Sequence, residues 1–134
     1  MQDPLVGIYK SVGSNEPYFQ LVERFYAGVE TDSVLRPLYP DDLTDSKKHL
    51  ALFLIQRTGG PQTYSMMRGH PRMRQRHMPF PIGIIERNAW LIHMSKALEQ
   101  TPEFAAHREV LGQFFAEFAT FLINKESEGV RLQP

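Results

Sequence analysis

The stretch from Gly59 to Pro81 constrains this chain more than any other. Gly59, Gly60 and Pro61 form a strong helix stop, and Gly69, Pro71, Pro79 and Pro81 then prevent any long helix before Ile82. On both sides of this connector, apolar residues recur at three-and-four spacing, the period of helices with one buried face. No strand-type alternation, repeat or low-complexity tract occurs, so the chain reads as all-α, with about four principal helices around one irregular connector. Residues that bind or react belong preferentially on such a connector, because a rigid scaffold holds it while its own backbone is free to vary.

Between Pro17 and Val29 the residues Tyr18, Leu21, Val22, Phe25, Tyr26 and Val29 form an apolar stripe, with Ser14 and Asn15 placed to cap it. The prolines of RPLYPDD then force a tight corner that carries Tyr39. A second helix from Thr44 or Asp45 presents Leu50, Phe53, Leu54 and Arg57 and should leave Lys47, Lys48 and Gln56 in water. Pro71 can open a short helix before Pro79, on which Met73 and His77 share a face. A long helix follows over Ile82 to Gln100, with Trp90, Met94, Ala97 and Leu98 aligned. Thr101 and Pro102 start the last helix, whose stripe is Val110, Leu111, Phe114, Phe115, Phe118 and Leu122. The segment from 124 to 134 reads as a frayed tail.

At 134 residues the chain is one domain, able to bury a core without staples. It has no cysteine, which excludes disulfide frameworks, thiolate metal sites and cysteine nucleophiles. Basic and acidic residues number 15 each, so net charge offers no reason to expect a nucleic acid or anionic membrane partner. No apolar run is long enough to span a bilayer and the N-terminus lacks signal-peptide character, so a soluble cytoplasmic protein is expected.

His77 lies in RMRQRHMPF, where a neutral imidazole is either a metal ligand facing an apolar slot or one surface histidine among arginines. Arg68, Arg72, Arg74 and Arg76 suit a dianionic ligand edge, an acidic partner or simply solvent. Tyr26, beside Phe25 on the apolar stripe, carries its hydroxyl inward and needs a partner there. Trp90, the only tryptophan, is a core residue by size, and its indole N–H is a pure donor. The remaining histidines, His49, His70, His93 and His107, make no zinc pattern, and no phosphate loop or nucleophile elbow is present.

Four segments, RFYAGV (24–29), LRPLYPDDL (35–43), LALFLIQRTGGPQTYSMMRGHPRMRQRHMPFPI (50–82) and IIERNAWLIHM (84–94), together resemble the group II truncated haemoglobins. The likeness runs from about Pro17 to Leu122. It implies a two-over-two helical sandwich with a very short first helix and a loop in place of most of the helix before the proximal histidine. It also implies a haem b (iron protoporphyrin IX) cofactor, with His77 as proximal iron ligand and Tyr26, Tyr39 and Trp90 around the bound ligand. Leu50 falls over the haem, and Ser46 falls where many globins carry a distal histidine, so the access route beside it is not plugged. By the same resemblance Phe25, Phe53, Leu54, Met73, Phe80 and Ile85 are expected to wall the haem. Arg76, with Lys47, His49 or Arg57, is expected near the propionates. One departure is Gly13–Ser14, where the family has a glycine pair between its first two helices.

Two functions follow from the resemblance. The first is reversible binding of dioxygen, carbon monoxide or nitric oxide, with slow oxygen release, since each charge-assisted hydrogen bond to the ligand contributes about 1.5–3 kcal/mol. The second is a peroxidase or nitric-oxide-oxidising activity that takes peroxide or nitric oxide and is served by a reductase. A homo-oligomer is also in keeping with the family. Outside haem chemistry, the residues alone leave open a helical interaction module whose arginine loop binds an acidic partner.

Overall fold

The computed structural model describes residues 3–125, so most of the tail expected to fray lies outside the described residues. Seven helices occur: α1 (Ile8–Val12), α2 (Glu16–Val29), α3 (Thr44–Arg57), α4 (Thr63–Arg68), α5 (Met73–His77), α6 (Ile84–Glu99) and α7 (Arg108–Phe121). Two 3-10 turns, Arg36–Leu38 and Pro102–His107, complete the described secondary structure, which contains no strand. None of the described helices is long and apolar enough to cross a membrane.

The four long helices are the ones whose periodicity is legible in the sequence, and they form the frame. α2 packs on both α3 and α6, while α6 packs on α7, so two helix pairs meet through the α2–α6 contact. Tyr18, Leu21, Val22, Phe25 and Val29 of α2 all enter the core this contact creates. The core continues through Met94, Ala97 and Leu98 of α6 and Leu111 and Phe115 of α7. Burial of this apolar surface holds the frame together.

α1 and α4 are too short to show a period, and each is held by side chains from elsewhere. Thr58, at the end of α3, donates its hydroxyl to the Leu54 carbonyl and so accepts from Tyr18 at 2.6 Å. Its own carbonyl accepts from the Tyr9 amide at 3.0 Å, which ties α1 to the α2–α3 pair. Gln56, expected in water, instead grips Ser65 of α4 through both ends of its amide, at 2.7 and 2.9 Å. Asn15 does not cap α2 with its side chain; its oxygen accepts from the Tyr9 hydroxyl at 2.7 Å. Gly13 alone supplies the left-handed turn between α1 and α2, at φ 98°, which is why Ser14 in place of a second glycine does no harm.

The expected last helix is split. Thr101 is buried, donating to the Ala97 carbonyl and accepting from Arg24, and the chain turns tightly around the buried Phe104 before α7 begins. The start of the tail is also ordered. Asn124 and Lys125 both donate their amides to the Ile82 carbonyl, which straps the chain across the beginning of α6.

Candidate functional site

Between α3, α5, α6 and α7 lies a cavity of about 560 Å³, within the roughly 300–1,000 Å³ usual for sites that hold a cofactor or small ligand. One helical face per element builds its walls. α3 contributes Ser46, His49, Leu50 and Phe53, and α6 contributes Glu86, Arg87 and Trp90. The end of α7 contributes Phe118, Ala119 and Leu122, the connector brings Met73, His77 and Phe80, and Tyr26 and Tyr39 close another side.

His77 reaches the cavity from the last residue of α5. Its Nδ1 lies 2.6 Å from the Met73 carbonyl oxygen, one helical turn earlier. A carbonyl can only accept, so Nδ1 carries the proton and Nε2 keeps its lone pair. No described residue hydrogen-bonds to that Nε2. An imidazole held in this tautomer by a backbone carbonyl is the arrangement that orients a metal-binding histidine.

Opposite chemistry gathers at Tyr26, Tyr39 and Trp90. The Tyr26 and Tyr39 rings meet edge to face, with centroids 5.4 Å apart. Burial pushes the Tyr39 hydroxyl up to about 12, although the Trp90 N–H and the Tyr26 hydroxyl beside it act to lower it. Tyr26 is raised further, first by burial and then by Tyr39. Both phenols are therefore neutral donors at any physiological pH. Tyr39, Tyr26 and Trp90 all line the cavity, so each can offer a proton to a guest there. The Tyr39 turn is itself latched, since Arg36 donates to the carbonyls of Tyr39, Pro40 and Asp41 at 2.9–3.3 Å.

A second pin holds the same corner. Asp32 accepts from the amides of Val34 and Leu35 and from His93 Nε2 at 2.6 Å, which ties the corner to α6 three residues beyond Trp90. His93 fits because residue 28 is glycine; a Cβ there would stand 2.3 Å from its Nδ1.

One rim is cationic. The Arg68 guanidinium donates to His49 Nδ1 at 3.0 Å, and burial together with that charge holds His49 below its ordinary range, so it is neutral. Arg76 also lines the cavity, with its guanidinium anchored on the Pro71 and Arg68 carbonyls, both at 2.7 Å.

Of the residues expected around a haem, the cavity brings together His77, Tyr26, Tyr39, Trp90, Ser46, His49, Leu50, Phe53, Met73, Arg76 and Phe80. Five lie elsewhere. Phe25 and Leu54 each stand one residue from a facing position, and a helix turns about 100° per residue, so both point into the core behind the wall. Lys47 turns the same way from Ser46 and pairs with Glu23 at 3.3 Å. Arg57, at the far end of α3, pairs with Asp3 at 2.7 Å and lies over the Phe114 ring. Ile85 is 52 % exposed, outside the cavity.

Several lining residues escape sequence reasoning. Glu86 and Arg87 precede Trp90 by four and three residues, so helical spacing from Trp90 marks them. Tyr64 carries no such signal, because α4 is too short to have a readable face, and Gln75 stands off the face that Met73 and His77 share. The residues present suit a flat apolar macrocycle: one free imidazole nitrogen, mostly apolar walls, donors gathered at Tyr39 and cations at one rim.

Helix pairs packed around an apolar cavity with an imidazole at its wall define a protein of the globin class. The family model of bacterial-like globins matches residues 7–124, and the chain belongs to the group II truncated haemoglobins, whose membership implies a haem cofactor. It is 39 % identical over 103 residues to the group 2 truncated haemoglobin YjbI of Bacillus subtilis, covering 77 % of each chain. Among solved structures, a haemoglobin from Chloroflexus aurantiacus is 46 % identical, with a TM-score of 0.82, covering 88 % of this chain and 98 % of that one. The group II truncated haemoglobin from Bacillus anthracis is 32 % identical, with a TM-score of 0.87, covering 96 % and 98 %.

Proposed function

We propose that the protein holds haem b through His77 Nε2 and reversibly binds dioxygen and other diatomic ligands, releasing oxygen slowly. The carrying observation is the tautomer of His77: with Nδ1–H given to Met73, the only lone pair of the ring lies on Nε2, beside the cavity. When bound, haem supplies an iron centre able to take a diatomic ligand.

The protein's own residues supply the rest. Tyr39 offers its proton to the guest, while Tyr26 and Trp90 donate to the Tyr39 oxygen and polarise that proton. Leu50, Phe53 and Phe118 keep the slot apolar. That low dielectric strengthens each hydrogen bond in it and slows escape of a ligand carrying partial negative charge. Arg68 and Arg76 face the propionate edge, a role their place on the rim suits better than that of Lys47 or Arg57, which are engaged elsewhere.

The test is the visible spectrum of the purified protein in ferric, dithionite-reduced and carbon monoxide forms, alongside His77→Ala. A Soret band that moves on reduction and on carbon monoxide addition, with the reduced form altered by the substitution, is the expected result. A colourless protein that takes up no added haemin overturns the proposal.

A further inference from the structure

α5 has five residues, too few to persist by its own hydrogen bonds. It is also preceded by Arg72, whose φ of 44° is left-handed and strained for a residue with a side chain. Something outside the helix must therefore set where it points. The contacts that do so come from the end of α7.

Asn124 uses its whole side chain on this connector. Nδ2 donates to the carbonyls of His77 at 3.1 Å and Phe80 at 2.9 Å, and Oδ1 accepts from the Ile82 amide at 2.9 Å. Its backbone amide donates to the Ile82 carbonyl at 2.8 Å. This pattern fixes the amide orientation, since a flip would set oxygen against two carbonyls and NH₂ against an N–H. Arg74 closes the clasp from the other side, donating Nε to the Phe121 carbonyl and Nη2 to the Ile123 carbonyl, both at 3.1 Å.

His77, Phe80 and Ile82 all line the cavity, and Asn124 does not. We propose that Asn124 is a positioning residue for His77. It fixes the carbonyl end of that residue while Met73 fixes the ring, and so sets the angle at which Nε2 meets the iron. The inference rests on His77 being the iron ligand.

Asn124→Asp and Asn124→Ala test it beside wild type and His77→Ala, all loaded with haemin. Asp keeps the size of Asn and the acceptor for Ile82 but loses both donors. The readout is the iron–histidine stretching band of the reduced, ligand-free protein by resonance Raman, with the rate of haemin transfer to apomyoglobin. The expected result is a shifted, broadened band and transfer about tenfold faster in both Asn124 variants, as for the loss of two hydrogen bonds. The C–O stretch of the carbon monoxide form, which senses the Tyr39 side, should stay at its wild-type frequency.

An unchanged band with transfer within about twofold of wild type overturns the positioning role. So does a C–O stretch that shifts along with the band, because that reports general loosening. Should Asn124→Ala not fold, Asn124→Asp carries the test; if neither folds, Asn124 is a folding determinant and the positioning role is rejected. A band that survives in His77→Ala removes the ligation reading itself, which a change confined to the Asn124 variants cannot do.

Discussion

Tyr26 and Tyr39 meet at 85° with ring centroids 5.4 Å apart, so a phenol from the middle of α2 and a phenol from a proline-flanked corner share one corner of the cavity. On the proposed function the two are unequal: Tyr26 gives its proton to Tyr39, and Tyr39 offers its own to a guest.

Oxygen dissociation should follow that inequality. Tyr39→Phe is expected to speed release about tenfold or more, as for loss of one strong hydrogen bond, and Tyr26→Phe or Trp90→Phe by less. Stopped-flow displacement of oxygen by carbon monoxide measures all three. Equal acceleration in the three variants would mean three independent donors in place of one supported donor.

The same phenols impose an alkaline limit on stability. Burial raises both above the ordinary value near 10, Tyr39 to about 12, so the folded state keeps protons that the unfolded chain gives up. Their contribution is complete below about pH 10 and is lost as pH rises through the folded values, with a slope of up to about 1.4 kcal/mol per pH unit for each group. Urea denaturation from pH 8 to pH 12 should show this fall, and Tyr26→Phe should flatten it. A slope identical in the variant would separate Tyr26 from the effect.

Gly28→Ala should destabilise the protein by about 1–3 kcal/mol, because the added methyl meets the His93 ring, whose Nε2 is already held by Asp32. In the His93→Ala background the same change should cost little, and a double-mutant cycle in denaturant reads the difference. Additive costs would show that His93 is not the obstacle.

Along the cationic rim, Arg68→Ala is expected to hasten haemin transfer to apomyoglobin several-fold, while Lys47→Ala and Arg57→Ala leave it unchanged. Arg68 faces the cavity beside His49, whereas the other two are paired with Glu23 and Asp3. Faster transfer from Arg57→Ala would return that residue to the propionates.

Much of this was legible in the residues because the physics is local. A run of three-and-four spacing marks α2, α3, α6 and α7, and proline and glycine mark the corner at Tyr39 and the break after α3. His77, Tyr26 and Trp90 stand at the cavity because each lies on an apolar face or at the end of a short helix that the sequence already outlines. Three of the five misplacements are of one kind. Phe25, Lys47 and Leu54 sit next to facing residues, and the stripe alone does not say which edge of a buried face meets the cavity and which meets the core.

Local pattern therefore suffices for the class of fold, the interruption that exposes His77 and the residue types able to serve a haem, since hydrophobic period and backbone breakers act within a few residues. Which groups are paired is set by packing between distant segments. The proton of His77 Nδ1 on Met73, the edge-to-face meeting of Tyr26 and Tyr39, the diversion of Arg57 to Asp3 and the grip of Asn124 on the connector are products of three-dimensional contact. Met73 and His77 lie one helical turn apart, but Asn124 reaches His77 across 47 positions of chain, and Arg57 reaches Asp3 across 54. A hydrogen bond depends on distances of about 3 Å and on the direction of a lone pair, and sequence separation carries information about neither.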